Sequence, residues 1–365
     1  MRIPSTLKRL AGRPPSPWPV LSVYVNTRPV GSAMTTYRPF LKQRFAEELA
    51  QLPARSPEHE SLSVDFARVR HYLDYDLRED TQAAAVFASY AGGDLFDAVQ
   101  LPVEFPEQEV VAGPMPILFP LLRVADRDWR AAVAVTDGQT TRLFVMAMGA
   151  VETRRELRAP ALARPESSGH EPAGHPADAA RAVEELARDS GASWIVLGGE
   201  ASAAAEMRRS LAGEFSARVL DVAEWDPRAP EAELAADVTR RVAAREEAAR
   251  TEEALRLVTA APNSTAVLGV APTIAALGED RVGTIVIAES FPEDIPAWTC
   301  RSCRAFGAGA PPAVCPTCGR EALAVVPLRE ELGSRAQARG AAVRFVTRDA
   351  VAAFEEGGGV GAFLR

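Results

Sequence analysis

Short β-branched runs alternate with amphipathic stretches along the whole chain, which predicts a mixed α/β protein. VLSVYVNT (20–27) alternates and is β-branched, a strand signal. YRPFLKQRFAEELAQL (37–52) sets Phe40, Phe45, Leu49 and Leu52 near helical spacing, and a second helix is predicted from His59 to Leu77. AAAVFASY (83–90) and LFDAVQLP (95–102) read as strands joined by Gly92-Gly93-Asp94. PMPILFPLLRVADRDW (114–129), rich in proline and then polar, reads as a link into a second domain.

The second segment opens with a hairpin, AAVAVTD (131–137) and TTRLFVMAM (140–148) around Gly138-Gln139. A polar stretch follows from Arg158 to about Ala177. Then come a helix (177–190), the buried-type strand WIVLGG (194–199), another helix and the strand ARVLDV (217–222). A long helix is predicted over roughly 230–260, and its mixed charges read as a solvent-exposed connector with internal ion pairs. The third segment reads as a helix near 265–277, the strand GTIVIAES (283–290), the strand ALAVVP (322–327), the helix LREELGSRAQARG (328–340) and the strand AAVRFVT (341–347). No internal repeat is visible.

Composition changes this picture little. The chain has 365 residues, more than one core supports, with 47% hydrophobic and 25% charged residues. No apolar run approaches the ~20 residues that span a bilayer, and the first residues lack a signal-peptide core, so a cytoplasmic protein is expected. Charge says more. The net charge is −8, yet residues 1–44 carry Arg2, Lys8, Arg9, Arg13, Arg28, Arg38, Lys42 and Arg44 with no acid. Such a segment could neutralise phosphates, with Arg9, Arg13, Arg28, Lys42 and Arg44 as candidate RNA contacts. The other reading is a solvated N-terminus.

The sharpest chemistry lies between the strands of the third segment. Cys300, Cys303, Cys315 and Cys318 are the only four cysteines, in two CxxC pairs separated by eleven residues. Two such knuckles supply the four thiolates of a closed tetrahedral zinc site, a structural rather than a catalytic arrangement. The alternatives are two disulfides or free thiols.

Three pieces in order, LSVYVNTRP, AVTDGQTTRLFVMAMGAVE and the terminal GGGVGAFLR, resemble the bacterial and archaeal relatives of the class-1 eukaryotic/archaeal peptide chain release factor and of Pelota. That group includes the peptidyl-tRNA hydrolases of ribosome quality control. Archaeal release factors carry a CxxC…CxxC ribbon in their third domain, where these four cysteines fall. The resemblance implies three domains. Residues 1–127 would be an α/β domain facing the decoding region. Residues 128–258 would be ribonuclease-H-like, with a catalytic loop at 158–177. Residues 259–365 would resemble the kink-turn RNA-binding ribosomal proteins and hold a zinc ribbon at 298–320. It also implies the ribosome as partner, through rRNA and tRNA, together with a translational GTPase.

The loop departs from the family. Release factors place Gly-Gly-Gln there, and the glutamine positions water against the peptidyl-tRNA ester. Here ALARPESSGHEPAGHPADAA (161–180) has no glutamine and no paired glycines, and the charges of Arg158, Arg164, Glu166 and Glu171 cancel. His170 and His175 are the candidate water-activating residues; the bland alternative is a solvated loop with two incidental histidines. The GGGVG stretch reads as a tightly packed final turn rather than a phosphate cradle, since only four residues follow it. Asp128, Asp137 and Glu152 read as solvated acids. The expected function is a ribosome-binding, release-factor-like translation factor in rescue, quality control or hibernation, without its own hydrolysis. The alternatives are a peptidyl-tRNA hydrolase with a non-standard loop, or an interaction module unconnected with ribosomes.

Overall fold

The computed structural model describes residues 3–28, 37–158, 175–347 and 352–365. They fall into two units, one formed by the residues up to Asp126 together with those from Ala249 onward, the other by Arg127–Ala248.

The first unit begins with α1 (Ile3–Ala11), which buries Ile3, Leu7 and Leu10 at helical spacing. A four-stranded sheet follows, ordered β3 (Leu95–Leu101), β2 (Ala83–Ser89), β1 (Val20–Asn26), β4 (Glu109–Gly113), with every neighbour antiparallel. One face carries Leu21, Val23, Val25, Ala84, Val86 and Ala88, covered by α2 (Tyr37–Ala50) and α3 (Pro57–Tyr75). Ser56 caps α3 by accepting the His59 N–H, and Pro57 starts the helix where its missing N–H costs nothing. On the other face the buried Tyr24 hydroxyl donates to the Ile117 carbonyl (2.5 Å).

The proline-rich segment expected as a link is ordered. It contains α4 (Phe119–Asp126), with Pro120 in the first turn, where proline is tolerated. Proline there starts a helix, and read alone it mimics a linker. β4 was not anticipated.

The second unit holds a five-stranded sheet ordered β7 (Ala150–Arg158), β6 (Thr140–Ala147), β5 (Arg130–Thr136), β8 (Trp194–Gly199), β9 (Val219–Ala223). β5, β6 and β7 are antiparallel, whereas β8 and β9 run parallel to β5. Alternation along β5 splits the core. Ala132 and Ala134 pack beneath α5 (His175–Ser190) and α6 (Ala201–Ser210). Ala131, Val133 and Val135 pack beneath Leu234, Val238 and Val242 of α8 (Glu231–Ala260). A four-residue helix α7 (Gly213–Ser216) leads into β9. β7 was not anticipated because it is an edge strand with mostly exposed, charged residues.

α8 is as long as expected but is not a bare connector. Leu234, Val238 and Val242 enter the core of the second unit, and Ala254 and Leu257 that of the first. The charges that outnumber them hide this two-patch pattern.

In the first unit a second sheet follows, ordered β10 (Ala266–Leu268), β16 (Val360–Leu364), β11 (Val282–Ala288), β15 (Ala342–Val346). Where a single helix was expected at 265–277, β10 comes first and α9 (Val270–Gly278) begins after Gly269. The glycine-rich end is also corrected. After α11 (Ala352–Glu356) and the Gly357–Gly359 turn, the chain enters an interior strand rather than stopping at a packed turn. Gly361 is needed there, since a Cβ would stand 2.6 Å from the Val267 carbonyl oxygen.

The crossover from β11 to its parallel neighbour β15 contains α10 (Leu328–Ala338) and, before it, a separate three-stranded sheet. That sheet is ordered β13 (Phe306–Ala308), β12 (Pro296–Cys300), β14 (Leu323–Pro327). β14 thus pairs within the cysteine module and is not a strand of the larger sheet.

Candidate functional site

The four cysteines meet at one end of the small sheet. Their Sγ atoms all lie within 4.8 Å of one another, with Cys300–Cys318 at 3.7 Å and Cys303–Cys315 at 3.5 Å. Disulfides need about 2.0 Å. Four sulfurs around an ion at about 2.3 Å stand about 3.8 Å apart, so the donor set fits a tetrahedral ion. The two knuckles repeat one hydrogen-bond pattern. Arg304 N donates to Cys300 O (3.0 Å) and Gly319 N to Cys315 O (2.8 Å); Cys300 N donates to Ala305 O and Cys315 N to Arg320 O (2.8 Å each). The N–H groups of Cys303 and Ser302 point at Cys300 and lower its thiol to about 6, favouring the ligating thiolate. Among the described residues, this is the group of His, Cys, Asp and Glu arranged to hold a metal. Asp128, Asp137 and Glu152 are not so arranged. Asp137 accepts the Gln139 and Thr140 N–H groups of the hairpin turn, and these hold its carboxyl below the usual range. Glu152 lies 3.5 Å from Arg130.

The module is docked by charged side chains of α10. Buried Arg335 pairs with Glu331 (2.6 Å), donates to Thr299 Oγ1 (2.9 Å) and lies over the Phe306 ring. One turn earlier, Glu330 is 1% exposed. Its Oε2 accepts the Leu118 (2.7 Å) and Phe119 (3.0 Å) N–H groups that open α4. Burial raises its carboxyl to about 7 despite those two bonds. Nothing in LREELG signals this cap, because its partner lies more than two hundred residues earlier.

Of the candidate RNA contacts, Arg9 pairs with Asp97 (2.6 Å), Arg13 donates to the Gly92 carbonyl (2.9 Å), and Arg44 pairs with Glu47 (2.6 Å). Arg28 and Lys42 are exposed.

His170 and residues 159–174 of the loop lie outside the described residues. His175 starts α5, two residues before the expected helix, and is buried. Its Nε2 lies 2.9 Å from Thr141 Oγ1. The neighbouring hydroxyls decide which atom donates. Thr136 donates to the Thr140 carbonyl (3.3 Å) and accepts from both the Gly138 N–H (3.1 Å) and the Thr141 hydroxyl (3.0 Å). With the Thr141 proton given to Thr136, the Thr141 oxygen is left to accept, and the imidazole donates to it from Nε2 in that tautomer. In that tautomer Nε2 has no lone pair to act as a base, and Nδ1 has one. Gly199 completes the floor at φ +111°, where a Cβ would come within 2.0 Å of the Thr136 carbonyl oxygen.

The second unit is similar to a release factor family. Residues 116–247 match the model of bacterial archaeo-eukaryotic release factor family 10, just over a third of the chain, taking in α4 and nearly all of Arg127–Ala248. Among solved structures, the chain is similar to an archaeal translation termination factor, aRF1 (15% identity, 100% of this chain and 96% of that one, TM-score 0.24). It is also similar to Saccharomyces cerevisiae Dom34, a translation termination-like factor described as interacting with Hbs1 (8% identity, 77% and 78%, TM-score 0.43). A third is archaeal Pelota in a model of ribosome-bound Pelota and ABCE1 (12% identity, 99% and 94%, TM-score 0.46). No curated protein matches significantly. Among the described residues, no helix is long and apolar enough to cross a membrane.

Proposed function

We propose that this chain is a cytoplasmic, ribosome-binding translation factor of the release-factor type, acting in rescue, quality control or hibernation without hydrolysis of its own. The match of the second unit to the release factor family carries the reading. The mixed sheet of that unit fits the ribonuclease-H-like role expected for 128–258, with residues 1–127 facing the decoding region and 259–365 engaging partners. Those partners are rRNA, tRNA and a translational GTPase. Cys300, Cys303, Cys315 and Cys318 hold one structural zinc, which would supply cross-linking and no open coordination position. The absence of hydrolysis is supported by a loop without glutamine.

The test is co-sedimentation of the full chain with ribosomes across a salt series, alongside peptide release from ribosome-bound peptidyl-tRNA. Binding without release is expected. The paired change Arg28→Glu/Lys42→Glu should weaken binding and flatten its salt dependence. Failure to sediment with ribosomes at low salt overturns the reading, and multiple-turnover release establishes a hydrolase in its place.

A further inference from the structure

The two cysteine knuckles share their hydrogen-bond pattern but differ at one position. Four residues after the first cysteine of each, the backbone is left-handed: φ is +70° at Gly319 and +66° at Arg304. Glycine takes that conformation freely, whereas an arginine is strained there. The sequence shows the same contrast, CRSCR against CPTCG. A strained arginine in a glycine position needs a reason outside the knuckle, and its guanidinium supplies one. Arg304 Nη1 donates to the Arg13 carbonyl (2.7 Å), just past the C-terminal end of α1. A cation is favourable beside the unpaired carbonyls of a helix end. Arg13 in turn donates through Nη2 to the Gly92 carbonyl in the β2–β3 turn (2.9 Å), and Arg9 grips Asp97 on β3. The first knuckle is thus wired through one side chain to the N-terminal helix, and through that helix to the first sheet.

We propose that the cysteine centre operates a metal-dependent clamp on α1, with Arg304 as its link. Gathering four thiolates on one ion fixes the knuckle turn, and the turn aims the guanidinium at Arg13. Without the ion the strained φ relaxes, the bond is lost, and the end of α1 with the β2–β3 turn is free to open. The proposal rests on metal occupancy of the four cysteines, and the clamp itself can be tested separately from that occupancy.

The decisive variant is Arg304→Gly. It gives the first knuckle the residue that the second already has, so metal content by mass spectrometry should stay at that of the unmodified chain. Hydrogen exchange of the full-length metal-loaded variant should nonetheless speed up about ten-fold at residues 8–13 and 90–94, equivalent to about 1.4 kcal/mol of local stability. Exchange in β5 and β8 should not change. A chelator should give the same acceleration in the unmodified chain and add little at residues 8–13 in the variant. Unchanged exchange at 8–13 in metal-loaded Arg304→Gly overturns the clamp while leaving the zinc reading intact. Purified full-length chain that takes up no zinc overturns both. Loss of metal in Arg304→Gly would also overturn the proposal, because Arg304 would then serve the knuckle and not the helix.

Discussion

α10 and the threonine–histidine chain are both polar and both buried, and they are built in opposite ways. α10 sinks Arg329, Glu330, Glu331 and Arg335 below the surface and joins them to one another, to the cysteine module and to the start of α4. The second unit uses two threonine hydroxyls and one imidazole, with every donor matched to an acceptor. The charged arrangement leaves loose ends. Glu330 Oε1 and Arg329 Nε lack hydrogen-bond partners and stand 3.7 Å apart, an ion pair too long for a hydrogen bond. Buried charge is costly to break and titrates. A neutral hydroxyl chain costs less to break. The first kind of network should therefore respond strongly to mutation, metal and pH, and the second weakly to mutation.

The largest effect should come from the centre that α10 supports. Cys315 is buried, and Cys315→Ser removes a thiolate from a four-ligand site. Zinc should fall from about one per chain to a small fraction. The cysteine module should lose on the order of 5 kcal/mol of local stability, since metal binding is folding energy in such modules. Hydrogen exchange should report the loss across β12–β14, with the strands of the second unit unaffected. A variant that keeps both its metal and its exchange pattern would break the contrast at its strongest point.

How much of this was legible beforehand follows from the range of the interactions involved. The four cysteines announce themselves because all four ligands sit within nineteen residues. β1, β2 and β8 are near-continuous buried runs, and periodicity finds them. β7 was invisible because an exposed edge strand keeps a loop's composition. The burial of α10 was invisible for a related reason: LREELGSRAQARG reads as solvated wherever its partners are remote in sequence, as Leu118 and Phe119 are. The basic N-terminal segment shows the opposite side of the same limit. Net charge counts Arg9, Arg13 and Arg44 as free cations, while Asp97, the Gly92 carbonyl and Glu47 are already their partners. Arg304 was within reach, since two knuckles that must share a turn differ by Arg against Gly.

Glu330 gives the next largest effect and the clearest pH signature. Glu330→Ala leaves the two buried N–H groups of Leu118 and Phe119 without an acceptor and should cost about 3 kcal/mol in denaturant unfolding. Glu330→Gln keeps an acceptor and removes the charge. The folded carboxyl titrates near 7, above the ordinary 4.5. Between those values the folded state holds a proton that the unfolded state has released, so this residue's contribution to stability falls as pH rises from 4.5 to 7 and levels off above. The stability of Glu330→Gln relative to the unmodified chain should accordingly rise over that interval. A difference between the two proteins that stays flat from pH 4.5 to 8 would show that Glu330 is ionised throughout the interval.

The smallest effect belongs to the hydroxyl chain, and its value lies in direction rather than size. If His175 donates from Nε2 to Thr141, a residue that presents a donor at that reach should substitute for it. The glutamine amide nitrogen lies near the Nε2 position, whereas that of asparagine lies near Nδ1. His175→Asn should lose the bond and cost about 1 kcal/mol, and His175→Gln should recover about half of that or more. Asparagine matching glutamine would mean that no bond at the Nε2 position holds the ring. Glutamine outperforming asparagine would leave the second unit with a histidine that holds the base of α5 to the sheet.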